Sequence, residues 1–426
     1  MSPEELRDLV IAGLPGAPVV VALGGGADSA VAAWVCAGHA PVRAVFVHHD
    51  LEGSDALRAA AIEVADRVSL SLEVLASPVA EGGNLEARAR DARWQAIRAS
   101  LNPGEIVVTG HSQDDLAETV LINLLRGAGS RGLGAMSVLR DDVIRPLAGV
   151  SRSDLRDMAE TLTLPFVDDP ANDDPRHLRN RVRAELIPLL EDQYRPGART
   201  TLARAGSLLA ADDAALQEAA RQVPFREDGT ALLAPTAVLT TIPPPVAARA
   251  IRRALRILHP PYAGTAADVD AVIAIAAGSV PAATLSSGVS AAREGPYVAL
   301  WSDEPVVPSP STLTVPGSVR FGTVLVTARG VTAGEQMPRS TALVDPAIFE
   351  AGVTLRALEQ GERIDILDGT KLVRDALAEA RVPRRKRSAW PVLANGAKIA
   401  AIVGGRVAPW ARPAGVDAVA VTQERT

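Results

Sequence analysis

The sequence predicts an α/β fold: a doubly wound, mostly parallel sheet, then a helical middle region and a small mixed α+β C-terminal domain. Three observations carry this expectation. Over roughly the first 165 residues, short β-branched runs alternate with amphipathic stretches, the pattern of strand–helix units on a parallel sheet. Three successive glycines stand where the first strand hands over to a helix. After the Pro/Ser-rich passage Val306–Pro316, which reads as a linker, the chain breaks into short hairpin-like runs.

Each element follows from local pattern. Pro18–Leu23 reads as a buried strand, and a helix is expected from about Asp28 to Gly38. Val42–His48 is a second strand and Asp55–Val68 a helix; Leu72–Ala76 is a third strand and Leu85–Ala99 a helix. Glu105–Thr109 and Ser112–Leu125 repeat the unit, and a short strand at Val143–Arg145 precedes a helix capped by Ser151 or Ser153. An Arg-rich passage, His177–Arg183, opens a helical stretch to about Gln222. The C-terminal part reads as hairpins with one helix, Lys371–Ala380. The expected division is residues 1–200 as the nucleotide-type catalytic domain, 201–310 as a mostly helical linker, and 311–426 as the small α+β domain.

Composition narrows the function. With 47% hydrophobic and 22% charged residues in 426, the chain can bury sizeable cores. The single Cys36 excludes thiolate-held clusters and Cys-x-x-Cys chemistry. No apolar run reaches the roughly 18–20 residues of a membrane span, and the acidic amphipathic start carries no signal-peptide pattern, so a cytoplasmic protein without membrane partners is expected. A net charge of −6 argues against coating nucleic acid by bulk charge. Of 44 basic residues only Lys371, Lys386 and Lys398 are lysine, an Arg bias that cautions against reading function into each arginine.

Two motifs carry chemistry. In Leu23-Gly-Gly-Gly-Ala-Asp-Ser29, glycines allow a tight turn that exposes successive N–H groups beside a helix start, a cradle for an anion such as pyrophosphate. It has neither the Walker lysine nor Gly-x-Gly-x-x-Gly spacing. A plain glycine turn with Asp28 and Ser29 as helix caps would also account for it. In Gly110-His-Ser-Gln-Asp-Asp-Leu-Ala-Glu-Thr119, His111, Asp115 and Glu118 share one helical face. If the sheet is parallel, that face lies beside the glycine turn, because ligands gather at strand carboxyl ends. Acids that merely complement a helix dipole explain Asp114 and Asp115 well and His111 poorly.

The glycine turn resembles the PP-loop of N-type ATP pyrophosphatases. Combined with the acidic motif and Leu124-Leu-Arg-Gly-Ala-Gly-Ser-Arg-Gly-Leu133, the chain resembles the tRNA(Ile)-lysidine synthetase family. Glu86–Trp94, Val167–Asp174 with Asn172, Arg179-Asn-Arg-Val-Arg183, and the C-terminal Gly361–Arg363, Val382–Arg387 and Trp390–Leu393 resemble further blocks of that family. The resemblance implies ATP and Mg2+, and ATP-dependent joining of free lysine to C2 of cytidine 34 in tRNA(Ile) with a CAU anticodon, through an adenylated cytidine. It implies that Gly24, Gly25, Gly26, Asp28, Ser29 and His49 line the ATP site, and that Asp115 and Glu118 hold lysine, with Asp115 taking its proton. Asp28, Arg90, Arg93, His111 and Asp115 would be catalytic. Arg126, Arg179, Arg181 and Arg183, with Arg384, Arg385, Lys386 and Arg387, would meet tRNA, as would the 201–310 and 311–426 domains. The C-terminal cluster stands out in its own right, because Lys371–Arg412 holds ten Lys/Arg against two Asp/Glu.

Two departures stand out. Gly24 occupies the place of the usual loop serine, and Val47-His-His-Asp50 replaces Val-Asp-His-Gly. They keep open a catalytically impaired nucleotide- or RNA-binding module, or another PP-loop tRNA-modifying ligase. A homodimer is also left open.

Overall fold

The computed structural model describes residues 2–39, 41–80, 85–136, 139–140, 143–169, 174–303, 306–332, 335–338 and 340–425, without the side chains of Glu86, Leu139, Arg140 and Arg425. Asn172 of the sequence-predicted set lies outside the described residues. Two compact units result, Met1–Ala215 and Leu216–Thr426. The expected boundary near residue 310 falls inside the second.

In the first unit, strands β1 (Val19–Ala22), β2 (Val42–His48), β3 (Leu72–Ala76), β4 (Ile106–Thr109), β5 (Leu139–Arg140) and β6 (Val143–Ile144) form one sheet in the order β3-β2-β1-β4-β6-β5. All adjacent pairs are parallel except β5–β6. Alternation along β1 splits the core. Val19 and Val21 pack with Ala30, Val31, Val64 and Leu155 on one face, and Val20 packs with Val45, Val107 and Ile97 on the other. Helices α1 (Pro3–Gly13), α2 (Ala27–Cys36), α3 (Ser54–Arg67) and α7 (Arg152–Thr161), the last capped by Ser151, pack on the first face and α4 (Leu85–Ser100) on the second; α5 (Gln113–Leu125) and α6 (Ser130–Leu133) follow β4 in the chain. The fold is therefore doubly wound. Its strand order reverses between β1 and β4, so the connections leaving these neighbours diverge and open a crevice at their carboxyl ends.

A further helical stretch joins α8 (Leu178–Arg181), a π-type turn at Val182–Leu186, α9 (Ile187–Leu189) and a second π-type turn at Leu190–Tyr194. Val182 and Ile187 pack on Ala117 and Leu121 of α5. The long helix α10 (Ala198–Arg221) follows, and the division between the units falls within it.

The second unit has the expected middle helices, α11 (Thr236–Thr241), α12 (Pro244–Leu258) and α13 (Ala266–Ala277). It adds a five-stranded antiparallel sheet of β7 (Arg226–Asp228), β8 (Ala231–Pro235), β9 (Ala282–Thr284), β10 (Ser290–Glu294) and β11 (Tyr297–Trp301), ordered β7-β8-β11-β10-β9. Its strands are only three to five residues long and Ala-rich, which is why periodicity did not show them. The C-terminal part builds two four-stranded sheets around one core that includes Leu313, Val326, Leu355, Leu393 and Val421. Leu313 lies inside the expected linker. A short helix, α14 (Pro346–Glu350), precedes the expected C-terminal one, α15 (Val373–Glu379).

Candidate active site

The glycine turn leaves β1 and enters α2. Gly25 has φ +84°, and a Cβ there would lie 2.4 Å from the Leu57 carbonyl oxygen, so only glycine fits. Ser29 Oγ accepts from Gly24 N–H at 3.1 Å and donates to the Gly26 carbonyl at 2.8 Å, tying the turn to itself. The Val167 N–H donates to the Gly25 carbonyl at 2.9 Å, which fixes its outer side.

The second motif leaves β4, the neighbour of β1. A Cβ on Gly110 would come within 2.5 Å of the Asp28 carbonyl oxygen, so the two turns touch backbone to backbone. Ser112 caps α5 in a box with Asp115, whose carboxylate accepts from Ser112 N–H at 2.9 Å and Oγ–H at 3.0 Å. Glu118 sits one turn on and is fully buried.

A residue that sequence analysis did not single out joins the motifs. Arg152, first residue of α7, places Nε 3.6 Å from Asp28, Nη2 2.8 Å from Asp115 and Nη1 3.1 Å from Glu118. Its N–H donates to Asp114 at 2.8 Å. Arg179 and Arg183, four apart on one helical face, complete the enclosure. Arg179 lies 2.7 Å from Glu118 and 3.1 Å from Asp115, and Arg183 lies 2.7 Å from Glu118. Arg199 pairs with Asp114 at 2.6 Å. Among the described residues the cluster thus sets Asp28, Asp114, Asp115 and Glu118 against Arg152, Arg179, Arg183 and Arg199.

The electrostatics separate these acids. Burial pushes Asp115 up, but Arg179 and Arg152 outweigh it and hold it at about 2. Glu118 is lowered in the same way, burial being outweighed by Arg183, Arg179 and Arg152. Asp28 goes the other way, raised to about 6 by burial and by Asp115 and Asp114, with Arg152 only partly compensating. His111 pairs with the Thr109 hydroxyl at 2.7 Å, and burial lowers it to about 4, so it is neutral near pH 7. His49, at the end of β2, is buried; its Nδ1 pairs with the Ser77 carbonyl at 2.9 Å, while Nε2 is buried without a hydrogen-bond partner. Burial lowers its pKa too, which favours the neutral ring, and because Nδ1–H donates to the Ser77 carbonyl, Nε2 is left as the acceptor. Arg90 and Arg93 lie on α4; Arg90 acts electrostatically on His111, and Arg93 on His49.

Other sequence-predicted residues fall elsewhere. Arg126 caps the far end of α5, about 16 Å along the helix from Asp115 at 1.5 Å per residue. Arg181 is exposed, whereas its neighbours Arg179 and Arg183 turn inward to the acids. In the second unit, Arg385 and Lys386 do not form an open cationic surface. Both bind Asp228, and Arg385 Nε lies 3.2 Å from Glu294. Arg387 Nε donates to the Val382 carbonyl at 2.9 Å, and Arg384 is exposed. Among the described residues, no group of three or more His, Cys, Asp or Glu is placed to hold a metal ion, and no helix is long and apolar enough to cross a membrane.

Comparison with known proteins agrees with this architecture. Residues 4–190 match the PP-loop domain model, and residues 353–415 match the TilS substrate C-terminal domain model. A tRNA(Ile)-lysidine synthase of Rhodococcus erythropolis is 39% identical over 245 residues, covering 55% of this chain and 75% of the relative. The chain belongs to the tRNA(Ile)-lysidine synthase family. The tRNA(Ile)-lysidine synthase of Pseudomonas putida is 39% identical over 213 residues, which is 47% of this chain and 50% of that relative. The chain therefore spans about half the length of that relative. A solved U34-tRNA thiolase from Methanococcus maripaludis covers 49% of this chain and 78% of its own at TM-score 0.41 and 19% identity, too distant to argue from. Within the tRNA(Ile)-lysidine synthase family match, the PP-loop segment holds every residue of the charged cluster except Arg199. Both departures also acquire a structural meaning. Asp50 stands at φ +58°, a left-handed conformation that explains glycine as the usual residue there and that aspartate tolerates. A Cβ on Gly24 would meet only Ser29 Oγ, at 3.8 Å, so a serine fits without strain.

Proposed function

We propose that this protein joins free lysine to C2 of cytidine 34 in the CAU anticodon of tRNA(Ile), with ATP as the energy source and AMP and pyrophosphate as products. The observation that supports this best is the packing of the glycine turn against Gly110, with Arg152 spanning Asp28, Asp115 and Glu118. That packing supports reading the glycine turn as an anion cradle and the Asp115/Glu118 face as an ammonium site in the same crevice.

In this reading the N–H groups of Gly24–Gly26 and the start of α2 receive the pyrophosphate portion of ATP. The C2 oxygen of cytidine attacks the α-phosphate and pyrophosphate leaves. The amine of lysine then attacks C2, AMP departs, and the amine loses a proton. Arg90 and Arg93 face the reacting cytidine or the α-phosphate, and the orphaned Nε2 of neutral His49 accepts from a nucleotide donor. Asp115, held at about 2 and fully hydrogen-bonded, is a poor base as it stands, whereas Asp28, near 6, can exchange a proton at neutral pH. Mg2+ commonly uses one or two carboxylates plus substrate phosphates. Asp28 fits that pattern, because among the described residues its ion pairing is a single long contact, 3.6 Å to Arg152. When bound there the ion would neutralise charge on the phosphates. The reaction belongs in the cytoplasm, where its substrates are.

The test supplies tRNA(Ile) transcript, ATP and labelled lysine. ATP-dependent incorporation with AMP release is expected. Tight tRNA binding without incorporation would leave a binding module instead.

A further inference from the structure

The acids assigned to lysine are closed. A carboxylate offers about four lone-pair positions. Asp115 fills them with Ser112 N–H, Ser112 Oγ–H, Arg152 Nη2 and Arg179 Nη2, at 2.8–3.1 Å. Glu118 fills them with Arg152 Nη1, Arg179 Nε, Arg183 Nε and Arg183 Nη2, at 2.7–3.2 Å. An ammonium has no acceptor left on either group.

The arrangement is layered. Glu118 has no exposed side-chain surface, while Arg179 retains 19% and Arg152 and Arg183 each retain 29%. The guanidiniums thus stand in front of Glu118 and of Asp115, which retains 11%. An incoming cation meets like charge first, whereas an incoming phosphate meets three guanidiniums suited to bind it.

We propose that Arg179 and Arg183 plug the ammonium site, and that a phosphate-bearing ligand must draw them off the carboxylates before lysine is held. The inference rests on the ligase reading given above and adds an order of binding to it. Phosphate and ammonium ligands are then positively coupled. The same guanidiniums serve the acids in the free protein and the phosphates in the complex, so the exchange keeps every charge paired. Two sources can supply the phosphate, the nucleotide and the RNA.

L-lysine binding to the full chain is measured by equilibrium dialysis alone, with a non-hydrolysable ATP analogue, and with a tRNA(Ile) anticodon stem–loop. Lysine affinity is expected to rise at least about tenfold in one or both anion arms, and the arm responsible identifies the source. By linkage, lysine tightens that anion by the same factor. Arg183→Gln is expected to raise lysine affinity without anion and shrink the ratio; Glu118 keeps Arg152 and Arg179 in that variant. Equal lysine affinity in all three arms overturns the coupling and leaves the ligase reading standing. No lysine binding in any arm overturns both. A ratio unchanged in a folded Arg183→Gln protein overturns the plug, and the wild-type ratio remains decisive if that variant does not fold.

Discussion

Two buried ion networks invite comparison. Around Asp115 and Glu118, four acids meet four arginines; in the second unit, Arg385 and Lys386 close on Asp228 and Arg385 also reaches Glu294. Sequence analysis assigned part of each to ligands: Asp28, Asp115, Glu118, Arg179 and Arg183 in the first, Arg385 and Lys386 in the second. The first borders a glycine turn, contains one acid in loose contact, Asp28, and has the orphaned His49 Nε2 among the described neighbours of the strand ends. The second ties a strand of the five-stranded sheet to the Arg384–Lys386 turn, and its Asp228 is held at about 2 by Lys386 and Arg385 against the effect of burial. The second network orders the chain, though its Glu294 Oε1 and Arg385 Nε, 3.2 Å apart, are also buried without a hydrogen bond. A network with an under-paired member beside a backbone cradle has chemistry left to do.

The largest effect that would sharpen this contrast is expected from Glu118→Ala. Three arginines lose their shared anchor, and removing one partner of a buried ion network costs about 3–5 kcal/mol. Denaturant unfolding should show that loss, together with loss of lysine incorporation. A change below 1 kcal/mol would break the comparison.

Asp28→Asn comes next, with roughly a hundredfold loss of ATP-dependent turnover expected and little loss of stability. The sign of its pH dependence is distinctive. Because the folded carboxyl sits near 6 against an ordinary 3.8, the native state holds more protons between those values, so stability falls as pH rises through that window. The Asn variant should lack this slope. Wild-type kcat/KM should rise through about pH 6 as Asp28 ionises, and a profile flat across that range would remove the carboxylate from the chemistry.

Asp228→Asn tests the other network. Its folded pKa is depressed, so its contribution is present above 3.8 and is lost as pH falls toward 2. A loss of about 1–3 kcal/mol is expected in thermal or denaturant melts, with ATP affinity unchanged. Weakened ATP binding in a folded variant would show that this network also serves the catalytic chemistry.

Gly24→Ser is expected to have the smallest effect. One more hydroxyl donor to a phosphate is worth about 0.5–1.5 kcal/mol, roughly two- to tenfold in ATP turnover. Unchanged turnover would show that the turn's own N–H groups suffice.

Much of the first unit was legible along the chain. β2 and β3 fall on the expected residues, and the helices of the α/β units begin within a residue or so of expectation, because buried strands and capped helices write their periods locally. The middle sheet was not legible, since Ala231–Pro235 or Ala282–Thr284 acquires strand character only from its neighbours. The glycine turn and the Asp115/Glu118 face could be singled out by residue type and spacing. Arg152 could not, because an arginine after a helix-capping serine in an Arg-rich chain carries no local mark.

The sequence by itself determined the strand–helix alternation, the need for glycine in the first turn, and family membership through motifs whose spacing is local. Tertiary structure alone decided which charges meet. Arg179 and Arg183 turn to the acids while Arg181 faces solvent, and Arg385 is consumed by Asp228. The physical reason is that a charge is valued by its burial and its partners, and those come from segments far apart in the chain.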